Sequence, residues 1–411
     1  MRVWGRILYG VLAAIGLVGF FLRFATGHQL AGYGSYVPWG LWVAAYIYFI
    51  GLSAGAFLLS ALVYVFGVRK LEPIAPLALV VALASLLMAL VTIWFDLGHM
   101  ERFYYVYLRP NFRSMMAWMV WLYTAYGLLL LAELYYALRR HLPRYADRGG
   151  ITGFLARFLV KGRKTPFTQE EIQRDEGITR VLGTIGVPLA IAFHGGVGAL
   201  FGTVVAQDLW HSPIYPILFL TGALLSGGAL MTAAYVFFWP RKDGEWRELS
   251  LLLGRIVLGL ILFDLLLEWA EYSIPMWYGV GSEFKALWNT LFGPFWYVYW
   301  VFHILLGVVV PIWLLLAFGL RGQIGAVGLA SFLVAFTFLA IRLNLVIPSL
   351  VHPKLEGLVN AYRDHRLVFA YLPTWFEWSV VVFSVVLGFT VTYILVCVLP
   401  VIEGKLLKEV A

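Results

Sequence analysis

Ten long apolar runs constrain the fold of this chain more than any other feature of its sequence. Each is long enough to cross a bilayer, which takes roughly 20 apolar residues in a helix. Backbone groups in lipid must satisfy their own hydrogen bonds, so such runs fold as helices. The chain is 62% hydrophobic and 13% charged, against roughly 45–50% and 25% in soluble domains. The sequence therefore predicts an all-α integral membrane protein with ten transmembrane helices, at about 7–25, 39–67, 74–95, 116–138, 179–205, 213–239, 249–270, 295–319, 324–347 and 374–399.

The lysines and arginines predict the orientation of these helices. They concentrate in alternate connections, above all in 139–178, and short basic connections stay on the cytoplasmic side. Both termini are therefore expected in the cytoplasm, with the first run kept as a helix and not removed as a signal peptide. We interpret 139–178 as a solvated segment with a short helix and assign it no chemistry. The orientation rule accounts for the net charge of +8, so no nucleic-acid partner is predicted.

The most polar outer segment joins the third and fourth runs. Asp96 and His99 are spaced one helical turn apart, so a continuing helix would place them on the same face. A carboxylate beside an imidazole suits the acceptance of protons from a quinol hydroxyl. The alternative is structural: Asp96, Glu101, Arg102 and Arg113 would form an ion-pair cluster that closes the loop. The sequence leaves both interpretations open.

His194 lies within the fifth run, beside glycines that leave room for a ring or another helix. Either it is a packing residue, or it faces a pocket shared with Asp96 and His99. The seventh run carries Asp264, Glu268 and Glu271 at i, i+4 and i+7, which predicts one acidic stripe. Buried acids either pair or line a proton route, and other polar residues in later runs suit either role, namely His303, Arg342, Asn344 and Glu377.

Cysteine and histidine usage limits the cofactors. The one cysteine, Cys397, excludes an internal disulfide and an iron–sulfur cluster held by this chain alone. A b-type haem needs two axial histidines on facing helices. His194 and His303 are the two deep histidines, and neither has a second histidine in its own run. A haem b electron carrier therefore stays a minor alternative, and no metal site is predicted.

Several different short motifs are distributed over residues 36–400. They are Pro38-Trp39-Gly40-Leu41-Trp42, Gly51-Leu52-Ser53-Ala54-Gly55-Ala56, Asp96-Leu97-Gly98 with Glu101-Arg102-Phe103, Arg109-Pro110-Asn111-Phe112-Arg113-Ser114-Met115-Met116-Ala117-Trp118, His194, Trp210-His211-Ser212-Pro213 with Ser226-Gly227-Gly228, and Leu372-Pro373-Thr374-Trp375 with Glu377. Together they resemble the NrfD/PsrC family, particularly its long, HybB-like and DsrP-like branch.

The resemblance implies a membrane-anchor subunit of a respiratory oxidoreductase in a prokaryotic cytoplasmic (inner) membrane, catalytic only within its complex. It implies binding of menaquinone or ubiquinone near the outer face, with no haem or iron–sulfur cluster of its own. Electrons would pass to or from an outer-face iron–sulfur subunit. That subunit would be attached to a molybdopterin enzyme of the polysulfide or sulfur-compound type, a hydrogenase or a cytochrome.

The resemblance also implies two four-helix bundles, runs two to five and six to nine, flanked by runs one and ten. The expected divisions are 1–35 for the first flanking helix and 36–210 for the first bundle with the quinone site. They continue with 211–350 for the second bundle with a possible proton route, and 351–411 for the outer loop and last helix.

The expected quinone pocket occupies the outer end of the first bundle. The family's common Asp-Leu-Gly-Arg-Pro reads Asp96 to Met100 here, without the arginine, so His99 or Arg102 would replace it. The predicted quinone-binding residues are Asp96, His99, Arg102, His194, Trp39, Trp42, Tyr46 and Arg113. The predicted proton route comprises Asp264, Glu268, Glu271, His303, Arg342 and Glu377.

A different class of protein, a proton- or solute-coupled transporter, is the runner-up. The acidic stripe of the seventh run and the glycine-rich helices favour it. Transporters often break helices at matching places in their two halves. Runs five and six are rich in glycine, but the second half shows no matching breaks.

Overall fold

The computed structural model describes residues 3–147, 149–163, 165–207, 209–355, 357–361, 364 and 367–402. Within these residues the regular secondary structure is entirely helical, and ten helices are long and apolar enough to cross a membrane. This confirms the predicted fold class. The helices are α1 (Val3–Thr26), α2 (Leu41–Tyr64), α3 (Ala75–Asp96), α4 (Met115–Leu138), α5 (Gln169–Gly202), α6 (Tyr215–Phe238), α7 (Gly244–Tyr278), α8 (Val298–Gly319), α9 (Ile324–Leu350) and α10 (Trp375–Val398).

Two helices extend beyond their apolar runs because local capping holds their ends. α5 starts ten residues earlier than predicted, where Thr168 and Glu171 form a reciprocal capping box. α7 continues to Tyr278 and stops at Gly279, whose φ of 65° suits a residue without a side chain. The connection predicted after it contains a further helix, Gly281–Phe292. Capping residues and not hydrophobicity therefore set these boundaries.

The ten helices pack as two four-helix bundles with a flanking pair. In the first bundle α2 packs against α3 and α5, and α4 packs against the same two helices. In the second, α9 packs against α6, α7 and α8. α6 also joins the bundles, because it packs on α2 and α5. Gly55 of α2 and Gly227 of α6 lie where these backbones meet, and a side-chain carbon on either would overlap the facing backbone.

The flanking helices α1 and α10 run antiparallel. The Tyr9 hydroxyl lies 2.6 Å from the Thr390 hydroxyl near one end, and Thr374 donates to the Leu30 carbonyl beyond the other. Both ends of the described chain therefore lie at one end of the helical array. We call this the inner end, and it also carries the described part of 139–178, which contains the predicted short helix, Gly150–Leu159. Its placement in the cytoplasm remains a prediction of the positive-inside rule.

Candidate functional site

Asp96 is the last residue of α3 and lies half-buried at the outer end of the first bundle. The Tyr33 hydroxyl donates to its Oδ1 at 3.0 Å. The charge of Arg23 lies within electrostatic reach of the same carboxylate. Asp96 is therefore held in place while part of it stays open to a ligand.

The expected pairing of Asp96 with His99 is wrong. α3 ends at Asp96, and Leu97 is extended with ψ of 130°, so the helical spacing no longer applies. The His99 side chain is 66% exposed and its Nδ1 lies 3.1 Å from Glu101 Oε1. Arg102 is also exposed, and its Nε lies 3.7 Å from the same carboxylate oxygen. The ion pairs of the outer loop are thus exposed and do not include Asp96.

His28, which no sequence pattern singled out, supplies the imidazole beside Asp96. It follows α1, and its ring lies against the backbone of Asp96. The ring centroid lies 5.5 Å from that of Trp42 and 5.7 Å from that of Tyr33. Burial, and then the Arg23 charge, lower the pKa of His28 to about 4, so the ring is neutral at pH 7. Its position directly after the first run was the one available sequence signal.

Arg23 of α1 closes the other side of this site. Its side chain is buried, and its guanidinium donates to the carbonyls of Phe95 and Leu97, both at 2.7 Å. These carbonyls lie at the open end of α3, where a cation is favoured by the helix dipole. The guanidinium also lies 5.7 Å from the Trp42 ring centroid. Arg23 thereby holds the end of α3, including Asp96, against α1.

Glu377 lies in this neighbourhood and not on the predicted proton route. It accepts hydrogen bonds from the Tyr371 hydroxyl at 2.5 Å and from the backbone amides of Gly32 and Thr374. The Trp42 indole donates to its backbone carbonyl. Because its carboxylate caps α10 and anchors the chain before α2, the expected place beside the α7 acids is wrong. Burial and the Glu377 charge raise the pKa of Tyr371, so that hydroxyl stays a donor.

These residues form one group, which we call the outer cluster. Its members are contributed by α1, α2, α3, α10 and the connecting segments. They are Arg23, His28, Tyr33, Trp42, Asp96, Tyr371 and Glu377.

His194 is separate from the outer cluster, which corrects the expectation of a shared pocket with Asp96 and His99. Its ring is fully buried, and within the described residues neither nitrogen has a hydrogen-bond partner. The ring lies 5.9 Å from that of Phe219, which packs at 5.7 Å on Phe201. Trp39 continues this aromatic column, 6.0 Å from Phe201. The column runs from the outer end down to His194, on the α5–α6 side of α2.

The other two predicted quinone residues lie apart from both groups. Tyr46 makes a very short hydroxyl–hydroxyl contact with Tyr123 of α4 inside the first bundle. Arg113 is exposed on the outer loop, where its backbone amide donates to the Asn111 side chain. The structure thus groups Asp96 with Trp42 and His194 with Trp39, and leaves the loop residues at the surface.

The acidic stripe of α7 lies in the second bundle as predicted. Asp264 accepts from Thr221 at 3.2 Å, Glu268 Oε2 lies 3.2 Å from His303 Nε2, and Glu271 accepts from Ser212 at 3.0 Å. Asp264, Glu268 and His303 border a cavity of about 10 Å³, near the lower limit for one water molecule. His303 lies in a π-helical stretch, Val298–Val309, a geometry often found at functional positions.

Arg342 of α9 approaches this stripe without bonding to it. Its guanidinium lies 4.2 Å from the Phe219 ring centroid and 5.0 Å from that of Phe338. Within the described residues its Nε and Nη2 have no hydrogen-bond partner. We call Asp264, Glu268, His303 and Arg342 the acidic group.

Comparison with known proteins places this architecture among membrane subunits of reductases. The family described as polysulphide reductase, NrfD, matches residues 30–354. A selenate reductase subunit of Mesobacillus selenatarsenatis is 38% identical, over 90% of this chain and 87% of its own. The Hdr-like menaquinol oxidoreductase integral membrane subunit of Archaeoglobus fulgidus is 26% identical, over 97% and 94%. A putative dimethyl sulfoxide reductase membrane subunit of Halobacterium salinarum is 29% identical, over 83% and 77%.

The matched region covers α2 to α9, so it includes both bundles and three of the seven residues of the outer cluster, namely Tyr33, Trp42 and Asp96. The chain belongs to the NrfD polysulphide reductase family.

Proposed function

We propose that the chain is the quinone-reactive membrane subunit of an oxidoreductase complex. In this proposal the quinone head group binds at the outer cluster, against Asp96. One observation carries the assignment: a half-buried carboxylate, a neutral imidazole and a phenol converge beside aromatic rings at a membrane surface. Ionisable groups at such a depth mark functional sites by default.

The chemistry of the cluster suits a quinol. Oxidation releases two electrons and two protons, and reduction takes up the same. Asp96 can accept a proton from a quinol hydroxyl, because a positioned carboxylate is a general base. The His28 ring lies against the Asp96 backbone, and a neutral imidazole has one nitrogen that can accept from the second hydroxyl. Tyr33 stays protonated, because burial and the Asp96 charge raise its pKa, and it orients the carboxylate.

The surroundings suit the apolar part of a quinone. The Trp42 ring packs against those of His28 and Tyr33, so the site has an aromatic interior. Phe24 and Leu97 lie beside the cluster in the chain and are 53% and 37% exposed. An isoprenoid tail can therefore leave the site directly into the lipid. The Archaeoglobus fulgidus relative carries menaquinol in its name, which favours menaquinone as the quinone.

The outer loop is proposed as the docking surface for the partner. His99, Arg102 and Arg113 are exposed there. The partner class is an outer-face iron–sulfur subunit with its catalytic subunit, of the molybdopterin, hydrogenase or cytochrome type. The relatives named selenate reductase and dimethyl sulfoxide reductase subunits favour the first of these.

Purification in mild detergent, followed by a quinol assay, tests the proposal. We expect redox subunits to co-purify with the chain and the complex to exchange electrons with a menaquinol analogue. Purification of the chain alone, combined with solute uptake in liposomes, would favour the transporter instead. A haem absorption spectrum in the isolated chain would favour the haem b carrier.

A second proposed role is proton translocation through the acidic group. It is favoured by the bonded Glu268–His303 pair, which borders a small cavity in a π-helical segment. Buried acids of this kind either pair or line a wet route. Membrane-potential measurements during turnover in proteoliposomes test this role separately from quinone binding.

A further inference from the structure

Glu133 of α4 is a buried carboxylate that neither proposed site uses. It is 0% exposed, and within the described residues neither carboxylate oxygen has a hydrogen-bond partner. Other acids near the inner end are bonded, such as Asp175, whose Oδ2 lies 2.5 Å from Arg139 Nε. An unpaired carboxylate in an apolar interior costs stability and contributes no bond to the fold. Its presence therefore calls for a role other than packing.

Glu133 lies near the inner end of the first bundle. It lies within electrostatic reach of Tyr64 on α2, and so do Arg140 and Glu72. Glu72 is exposed, and Arg140 is part-exposed. On the facing helix, Gly183 brings no side chain: a carbon added there would lie 3.7 Å from Glu133 Oε1. The carboxylate thus lies inside the inner end of the bundle, where Val65 of the chain after α2 fills the space beside Gly183.

A ladder of hydroxyl groups continues from Glu133 toward the outer end. Tyr126 lies two turns up the same face of α4, about 10 Å along the axis. Its hydroxyl donates to the Ser53 carbonyl at 3.2 Å and lies 3.3 Å from the Ser53 hydroxyl. One turn further, the Tyr123 hydroxyl contacts that of Tyr46. All four hydroxyl-bearing residues are buried, so they form a line of buried hydroxyl groups between α2 and α4.

The upper end of this ladder lies below the outer cluster. Tyr46 lies one turn below Trp42 on α2, and the Trp42 ring contacts Tyr33 and His28. Water molecules would have to bridge the intervals between Glu133 and Tyr126, between the two hydroxyl pairs, and between Tyr46 and the outer cluster. Carboxylates inside a membrane are typical members of proton relays.

We propose that Glu133 is a proton-exchanging carboxylate that connects the inner end with the outer cluster through this ladder. The inference rests on the proposed quinone chemistry. Reduction of a quinone takes two electrons from the partner redox subunit and two protons. A proton delivered through the ladder leaves Glu133, which then regains one from the inner solution. Oxidation runs in reverse. Electrons would then be exchanged at the outer side of the membrane and protons at the inner side. Quinone turnover itself would therefore move charge across the membrane.

The test uses the assembled complex, with Glu133→Gln compared with Glu176→Gln. Gln keeps the size of the side chain and removes its exchangeable proton, whereas Glu176 is a 62% exposed acid at the same end. We expect Glu133→Gln to lower quinone turnover by roughly 10- to 100-fold, with the quinone KM unchanged. Glu133→Asp should restore part of the rate. In proteoliposomes, a pH-sensitive dye can be placed in the compartment that the inner end faces. During turnover it should report proton uptake or release for the wild type and Glu176→Gln, but not for Glu133→Gln.

The outcomes separate the two proposals. If the wild-type complex has no quinone activity, the proposed function fails. If the wild type is active and Glu133→Gln matches Glu176→Gln in turnover and proton exchange, the ladder is overturned while the quinone site stands. Should Glu133→Gln not assemble, Tyr126→Phe carries the test, because it removes one hydroxyl from a ring that stays packed. Unchanged turnover and proton exchange in that variant would equally overturn the proposal.

Discussion

The outer cluster and the acidic group contain the same kinds of side chains, yet their arrangement differs. In the outer cluster Arg23 donates to two carbonyls at 2.7 Å and Asp96 accepts from Tyr33. In the acidic group Arg342 lies over two aromatic rings, and within the described residues two of its nitrogens are unbonded. Asp96 and His28 of the first are half-buried, whereas Asp264, His303 and Arg342 of the second are buried.

The difference follows from depth. Asp96 and His28 lie at helix ends, where connecting segments supply backbone partners and the surface is near. Asp264 and His303 lie within helices whose backbones bond to themselves, so only other side chains are left as partners. Enclosed ionisable groups pair with each other, as Glu268 and His303 do. We therefore expect binding and proton acceptance in the first region and proton movement in the second.

Removal of the Asp96 carboxylate should have the largest effect. Asp96→Asn keeps the hydrogen bond to Tyr33 but removes the general base, so quinol oxidation by the assembled complex should fall about 100-fold or more. Glu101→Gln, which changes an exposed acid in the same loop, should match the wild type. Equal losses in the two variants would show that the outer loop as a whole, and not the Asp96 site, governs the rate.

The two histidines near Asp96 provide the next comparison. His28→Gln removes the ring that contacts the Asp96 backbone and should lower turnover roughly tenfold or more. His99→Gln changes an exposed side chain and should leave the quinone KM and kcat unaltered. A large effect of His99→Gln with none of His28→Gln would contradict our assignment. It would favour His99 as the imidazole that acts with Asp96.

A smaller effect on turnover is expected in the second bundle. Glu268→Gln removes the charge that faces His303 but leaves a hydrogen-bonding group of the same size. We expect quinol oxidation in detergent to stay within about twofold of the wild type, since mutations at separate sites act independently. The membrane potential formed in proteoliposomes should decrease. An unchanged potential would remove the proton role from the acidic group.

The smallest effect concerns the dependence of stability on pH. His28 has a pKa of about 4 in the folded chain and an ordinary value of 6.5, so the unfolded chain binds more protons between these values. Folded-state stability should be complete above pH 6.5 and decrease as the pH falls toward 4. Thermal unfolding at pH 7.5 and 4.5 should show a smaller difference for His28→Gln than for the wild type. A larger difference in the variant would contradict the buried neutral ring.

Much of the fold could be predicted because hydrophobic length and charge act locally. The ten runs identified the ten membrane-spanning helices, and motif order led to the two bundles. Boundaries were less accurate where caps outweighed hydrophobicity, as at Thr168 and Gly279. The candidate site was harder to predict, because Asp96 and His28 are distant in sequence and no spacing relates them. Glu133 was missed because one acid in a long apolar run carries no periodic signal.

The sequence by itself determined that this chain spans a membrane with ten helices. Backbone groups in lipid must satisfy their own hydrogen bonds, and apolar runs of this length do so as helices. It also determined the acidic stripe of α7, since that spacing needs only a helix. The tertiary structure decided which imidazole accompanies Asp96, that Glu377 caps α10, and that Glu133 lies below a ladder of hydroxyls without a hydrogen-bond partner among the described residues. These are contacts between helices, and they depend on where each helix ends and which neighbour it meets. Helical periodicity extends only as far as the helix, and α3 ends at Asp96.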